Sequence, residues 1–308
     1  MTAPRAIANA GADRLHVEPQ FDSVTGTVSY IVLDRSSGSC ALIDTVLDYS
    51  AGAARISHAG ADRLAARVLE LGAKVEWILE THVHADHLSA APYLKAKLGG
   101  RIGIGAHIRA VQETFGAMFH GDGGFASDGA GFCSLFEDDA RFAIGTLDVT
   151  VMHTPGHTPA CVSYIVSDGD ASDACTRHAA FVGDTLFMPD FGTARCDFPG
   201  GDARQLYRSI ARLLRLSDDT LVYTGHDYPP GGRAPAFRAT VAEQRDGNIH
   251  LRGAVTEDAF VAMRTARDAT LAVPALILPS VQVNMRGGQL PDADATGRRY
   301  LKIPLDVF

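Results

Sequence analysis

The chain of 308 residues has one tryptophan, five cysteines and fewer basic than acidic side chains, 28 Lys and Arg against 36 Asp and Glu. Its cysteines (Cys40, Cys133, Cys161, Cys175 and Cys196) are dispersed, odd in number and without a CxxC pair. That set argues against a disulfide framework and for a reducing compartment. No uninterrupted apolar run is long enough to span a bilayer. The N-terminus lacks the apolar segment of a secretory signal, and Asp13 and Glu18 come early for a transit peptide. A cytoplasmic protein with no membrane partner is expected. The formal net charge of -8 argues against collecting phosphates with basic surface, so no nucleic-acid partner is expected. In the helix-like run from Asp202 to Leu216, Leu206, Ile210, Leu213 and Leu214 make an apolar stripe. Arg204, Arg208, Arg212 and Arg215 lie mainly off it and read as a solvated face.

What is present is a compact enzyme's composition, 46% hydrophobic and 21% charged, enough for a sizeable core in one large domain. Its most informative stretch is residues 81–87, Thr-His-Val-His-Ala-Asp-His. His82, His84, Asp86 and His87 offer imidazole nitrogen and carboxylate oxygen, the ligand set shared by Zn²⁺, Fe²⁺ and Mn²⁺. An apolar strand precedes them (Val75 to Leu79), and a helix-like run follows from Leu88 to Leu98, closed by Gly99 and Gly100. The cluster therefore belongs on the loop leaving a strand, where open α/β sheets place their sites.

The same pattern recurs downstream. Leu147 to Met152 alternates like a strand and runs into His153-Thr-Pro-Gly-His157. Ala180 to Val182 runs into Gly183-Asp184-Thr185, and Leu221 to Tyr223 runs into Thr224-Gly225-His226. A Gly-Asp-Thr alone is usually a turn; four strand-then-ligand passages in one chain make a metal centre. Upstream, Val28–Leu33 and Cys40–Asp44 read as a hairpin around Ser36-Ser37-Gly38.

In motif order and spacing the chain resembles the metallo-β-lactamase superfamily. The His-x-His-x-Asp-His motif matches His82, His84, Asp86 and His87, followed by His157, Asp184 and His226; Asp44 matches the aspartate ending an early strand. The resemblance implies an α/β fold, a four-layer αβ/βα sandwich of two mixed β-sheets flanked by helices, with the metal at one edge. Residues 1–308 would form this single domain, with 1–20 a lead-in and 235–308 a helical and strand extension packed on the core.

A closer resemblance, from about Phe21 onward, is to the persulfide dioxygenases. It rests on His153 to Tyr164, Gly183 to Phe187, Ala194 to Phe198, Thr240 to Arg245, Asn248, and the Asn284-Met285-Arg286 near the end. The Gly200-Gly201-Asp202 region most resembles the bacterial β-lactamase-hydrolase-like branch, here without its fused sulfurtransferase domain. This implies one Fe(II) per chain held by His82, His157 and Asp184, leaving positions for O₂ and a persulfide, with sulfite and thiol as products. His84, Asp86, His87 and His226 would orient those ligands by hydrogen bonds or, as in glyoxalase II, hold a second metal. Zn²⁺ as a substitute or in a dinuclear site fits the same residues. Arg195 matches the family's Arg-x-Asp-Phe arginine and would orient the loop or substrate, or only pair with Asp197. Tyr228 would donate a hydrogen bond near the iron, or pack under a loop. The resemblance is compatible with a homodimer or higher homo-oligomer and with functional pairing to a sulfurtransferase.

Cys161 and Cys196 read as small buried hydrophobes before they read as reactive thiols. His58, His107, His120, His178 and His250 lack any partner pattern and take surface or packing roles. Gly121 to Gly131 reads as a mobile loop or a lid, and Ser167 to Arg177 as a polar hairpin tip. Two other functions compete with the dioxygenase: a dinuclear thioester hydrolase of the glyoxalase II type, and a non-catalytic metal- or sulfide-binding protein. The tail after His226 does not read as the helical glutathione domain of the former.

Overall fold

The computed structural model of the chain describes residues 14–120, 126–169 and 177–306. In chain order its first half contains β1 (Leu15–Phe21), β2 (Val28–Asp34), β3 (Ser39–Ile43), β4 (Val46–Ser50), β5 (Arg55–Ser57), α1 (Ala59–Glu70) and β6 (Lys74–Leu79). There follow β7 (Leu88–Ser89), α2 (Ala91–Leu98), β8 (Arg101–Gly105), α3 (Ile108–His120) and β9 (Ser134–Phe136). The strands β1-β2-β3-β6-β8-β9 make a 6-stranded sheet, antiparallel from β1 to β3 and parallel from β3 to β9. A small sheet, β5-β4-β7, sits beside it.

The second half contributes β10 (Arg141–Ile144), β11 (Leu147–His153), β12 (Val162–Ser167), β13 (His178–Phe181), α4 (Ala203–Leu213), β14 (Leu221–Tyr223) and β15 (Arg238–Thr240). These strands form a second 6-stranded sheet in sequence order, antiparallel except for the parallel β13–β14 pair. The chain then closes with α5 (Val241–Gly247), α6 (Glu257–Asp268) and α7 (Ile277–Asn284).

Period-two alternation decides which way each strand's side chains go. Tyr30, Val32, Ile43 and Leu79 meet Val149, Val151, Tyr164 and Phe181 between the two sheets. The alternate residues Ile31, Leu42 and Ile78 face outward onto Leu64 and Val68 of α1 and Leu94 of α2. On the other side, Ala180 and Val222 face Leu206 and Ile210 of α4 and Phe260 of α6. The result is a mixed α/β sandwich, helices outside two facing sheets, as the motif order implies.

One local reading is corrected and another extended. The run after the metal motif does not enter a helix at Leu88: Leu88 and Ser89 pair with β4, and α2 begins at Ala91, where Pro92 suits the first turn. The α4 arginines do lie on a solvated face, and three of them also form ion pairs there. Arg204 and Arg208 reach Glu257 at 2.6 and 2.9 Å, and Arg212 reaches Asp138 at 3.1 Å, so ion pairs stitch α4 to α6 and to the loop before β10. Among the described residues no helix is long and apolar enough to cross a membrane. Residues 121–125 and 170–176, within the expected mobile loop and hairpin tip, lie outside the described residues, as do 1–13 of the expected lead-in. Gly129, at the described end of that loop, is fixed by Gln112 through its amide at 2.8 Å.

Candidate metal centre

The parallel strand pairs point their C-terminal ends to one edge of the sandwich, and the ligand-type residues gather there. Asp44 follows β3, residues 80–87 follow β6, His157 follows β11, Asp184 follows β13 and His226 follows β14. Backbone bonds clip these loops together: Val162 N to Thr81 O at 2.9 Å and Gly225 N to Gly183 O at 2.9 Å. Glycine at 183 is required twice over. Its φ is 50°, and a Cβ there would stand 2.3 Å from Thr81 Oγ1.

His82, His157 and Asp184 form a buried set whose ligand atoms lie within 4.8 Å of one another. Asp184 Oδ2 is 3.9 Å from His82 Nε2 and 3.7 Å from His157 Nε2. Ligand atoms bonded at about 2.0–2.2 Å to one ion stand roughly 3 to 3.5 Å apart, so a small contraction closes this set on a metal. The rear nitrogens are already committed. His157 Nδ1 donates to the carbonyl of Arg195 at 2.8 Å. His82 Nδ1 faces Thr81 Oγ1 at 3.0 Å, and that hydroxyl passes its own proton to Asp44 Oδ2 at 2.8 Å. Both imidazoles are thereby fixed with Nε2 free to ligate. Burial, reinforced by the charge of His84, holds His82 well below its ordinary range and so neutral. Burial opposes ionisation of Asp184, but His226 and the facing imidazoles hold its carboxyl well below the usual range.

The remaining motif residues form two hydrogen-bonded groups around that set. His226 lies between carboxylates, Nδ1 at 2.6 Å from Asp184 Oδ1 and Nε2 at 2.7 Å from Asp86 Oδ2. Despite burial, Asp184 and Asp86 hold its pKa well above the ordinary histidine range. Asp184 therefore accepts from His226 with one oxygen and presents the other to the His82–His157 face. His87 Nδ1 sits 3.1 Å from Asp86 Oδ2. His84 Nε2 is held 3.1 Å from Asp44 Oδ1 and 3.3 Å from Glu80 Oε2. Burial disfavours charge on His84, yet Asp44 and then Glu80 push its pKa up to about 10. Two buried nitrogens, His84 Nδ1 and His87 Nε2, have no partner among the described residues.

In front of Asp184 and His157 opens a cleft of about 300 Å³, walled by Phe187, Phe191, Phe198 and Leu271, with Arg195 and Arg267 also along it. Arg195 is held by Asp197 at 2.6 and 2.7 Å and by the carbonyl of Ala272, so its side chain braces the wall. Arg264 is tied to Asp268 at 2.6 Å. Arg267, one turn along α6, makes no ion pair or hydrogen bond with its side chain among the described residues. Tyr228 packs against the Gly26 turn yet is 40% exposed, and it stacks on the His226 ring at 5.5 Å with a 7° angle between planes.

Several of these residues carry no sequence signal of their own. Thr81 and Thr27 are ordinary threonines until the fold brings them against the imidazoles, and Arg267 shows only as an (i, i+3) partner of Arg264. Cys161 and Cys196 are buried, and burial pushes both thiols up, Cys161 to about 12, which disfavours the reactive thiolate. His58 stacks on Tyr93, His107 on His153, and His250 is buried against Thr193.

Comparison with known proteins places this geometry. The family model for the metallo-beta-lactamase superfamily matches residues 23–226. A probable metallo-hydrolase of Burkholderia pseudomallei is 59% identical, covering 95% of this chain and 99% of that one. A beta-lactamase hydrolase-like protein of Agrobacterium fabrum is 48% identical over 99% of this chain and 68% of its own length. The mitochondrial persulfide dioxygenase ETHE1 of Homo sapiens is 31% identical over 89% of both. Among solved structures, ETHE1 from Myxococcus xanthus superposes with a TM-score of 0.68 at 29% identity, covering 89% of this chain and 100% of that one.

Proposed function

This chain belongs to the metallo-β-lactamase superfamily, and from that premise we propose that it is an Fe(II)-dependent persulfide dioxygenase. Its substrate would be glutathione persulfide or a similar low-molecular-weight persulfide, which with O₂ and water gives thiol, sulfite and protons. The observation that carries this reading is the His82–His157–Asp184 set, two imidazoles and one carboxylate oxygen converging from one side, with both rear nitrogens tied off. When bound by such a set, Fe(II) supplies the redox step between O₂ and sulfur and keeps positions for both.

The chain's own residues do the rest. Phe187, Phe191 and Phe198 keep water from the sulfur. Arg267 draws the anionic substrate to the mouth of the cleft. The Tyr228 hydroxyl, free of hydrogen bonds among the described residues, is placed to donate to the bound persulfide. His226 keeps Asp184 turned so that one oxygen only faces the ligand set.

One observation favours a second reading, a dinuclear thioester hydrolase: the unpartnered His84 Nδ1 and His87 Nε2 are spare donors on the same loop. Anaerobic purification with metal analysis, followed by O₂ uptake with glutathione persulfide, separates the two. About one iron per chain and persulfide-dependent uptake are expected. Two tightly bound zincs from iron-replete cells, with thioester hydrolysis and no uptake, would overturn the dioxygenase.

A further inference from the structure

Thr27 lies in the turn before β2, far in sequence from every motif residue, yet its hydroxyl reaches the centre. Oγ1 donates to Asp86 Oδ2 at 3.1 Å and faces His226 Nε2 at 3.1 Å and His87 Nδ1 at 3.3 Å. These are three of the four side chains, His84 being the fourth, that would otherwise hold a second metal. Thr27 has no exposed surface, and its place is fixed from both sides. Val28 N donates to Gly225 O at 2.8 Å, Asp227 N donates to Gly26 O at 3.0 Å, and Thr27 itself bridges His226 in an isolated antiparallel pair. Its β-branched side chain has little rotational freedom with which to step aside.

We propose that Thr27 closes the space between His87 and His226 to a second metal ion. With Oγ1 giving its proton to Asp86 and lying 2.8 Å from Thr25 Oγ1, the hydroxyl occupies the position between His226 Nε2 and His87 Nδ1. Asp86 Oδ2, itself 2.7 Å from His226 Nε2 and 3.1 Å from His87 Nδ1, fills the other side of the gap. Among the described residues, Asp86 and His87 share a candidate ligand cluster with His84, and His226 does not join it. The inference rests on the reading of His82, His157 and Asp184 as the resident metal's ligands, and concerns which further ions the protein admits.

The test is metal stoichiometry, independent of turnover. Metal-free protein is titrated with Zn²⁺, and separately with Fe²⁺ under anaerobic conditions, and bound metal is counted by elemental analysis after desalting. Wild type is expected to hold one ion, as is Thr27→Val, which fills the gap without a hydroxyl. Thr27→Ala, which empties it, is expected to hold two. A Thr27→Ala protein with unchanged circular dichroism that still holds one ion overturns the proposal, as does a wild type that holds two. A wild type that holds none overturns the metal centre itself, and this inference with it. His226→Ala gives a check that needs no folded Thr27 variant. Wild-type stoichiometry should persist in it, and a fall from two ions to one would show that His226 ligates a second metal despite Thr27.

Discussion

The side-chain amide of Asn284, in α7, donates to the backbone carbonyl of His87 at 2.7 Å across 197 residues of sequence. The same amide donates to the carbonyl of His84 at 2.9 Å and accepts from the amide of Ser89 at 2.8 Å. One buried side chain therefore holds the metal-binding loop at three backbone points. Two of those points are carbonyls of motif histidines, so α7 sets the pitch of the loop without touching the metal site.

Asn284→Ala removes all three bonds and leaves buried carbonyls unpaired. The expected result is a loss of about 1–3 kcal/mol of stability. Metal affinity should fall on the order of 10–100-fold, as for residues that support ligands without binding metal. Urea unfolding and competitive chelation measure the two. Unchanged metal affinity would mean that the loop holds its shape without α7.

The ligand types and their order were legible because each follows a short apolar or alternating strand, and because His and Asp in loops have few other reasons to cluster. What holds them was not. An Asn-Met-Arg triplet shows as a likeness, but nothing local tells that Asn284 faces His84 and His87, because that contact exists only after the outer helices dock. Thr27 and Thr81 fail the same way. The ion pairs of Arg204 and Arg208 were not legible because Glu257 and Asp258, their partners, lie on a helix some fifty residues on. Leu88 and Ser89 were read as helix since a two-residue strand has no period to detect.

Arg267 supplies a test of substrate charge. Its guanidinium borders the cleft and makes no ion pair or hydrogen bond among the described residues, in a chain of formal net charge -8. Arg267→Ala is expected to raise KM for glutathione persulfide by about 10-fold while leaving kcat within about 2-fold, the signature of lost uniform binding. Salt should weaken wild type more than the variant. An unchanged KM would remove Arg267 from substrate binding.

His250 should make the protein acid-sensitive at a site outside the metal centre. Burial, with the charges of Arg264 and Arg267, pushes its pKa down to about 4, and its Nδ1 accepts from the Thr193 amide at 3.0 Å. An unfolded histidine titrates near 6.5, so between about 6.5 and 4 the unfolded chain binds the proton and the folded one does not. Stability therefore falls as pH drops through that window and is fully retained above it. His250→Gln, which keeps an acceptor but cannot titrate, should flatten this part of the pH dependence in urea unfolding. An unaltered profile would assign the acid sensitivity to other groups.

The sharpest comparison is between two histidines of the same centre. His157 presents Nε2 to Asp184 Oδ2 at 3.7 Å with its rear nitrogen tied off, the posture of a ligand. His226 lies between two carboxylates, Nδ1 2.6 Å from Asp184 Oδ1 and Nε2 2.7 Å from Asp86 Oδ2, the posture of a hydrogen-bonding partner. His157→Ala should empty the site. His226→Ala should keep most of the iron, because Asp184 still has its free oxygen, yet lower O₂ uptake on the order of 10–100-fold as the carboxylate loses its fixed orientation. Iron counted per chain, beside uptake measured on the same preparations, separates the two effects. If both variants lose metal equally, His226 is a ligand, the centre is dinuclear, and the hydrolytic reading replaces the oxidative one.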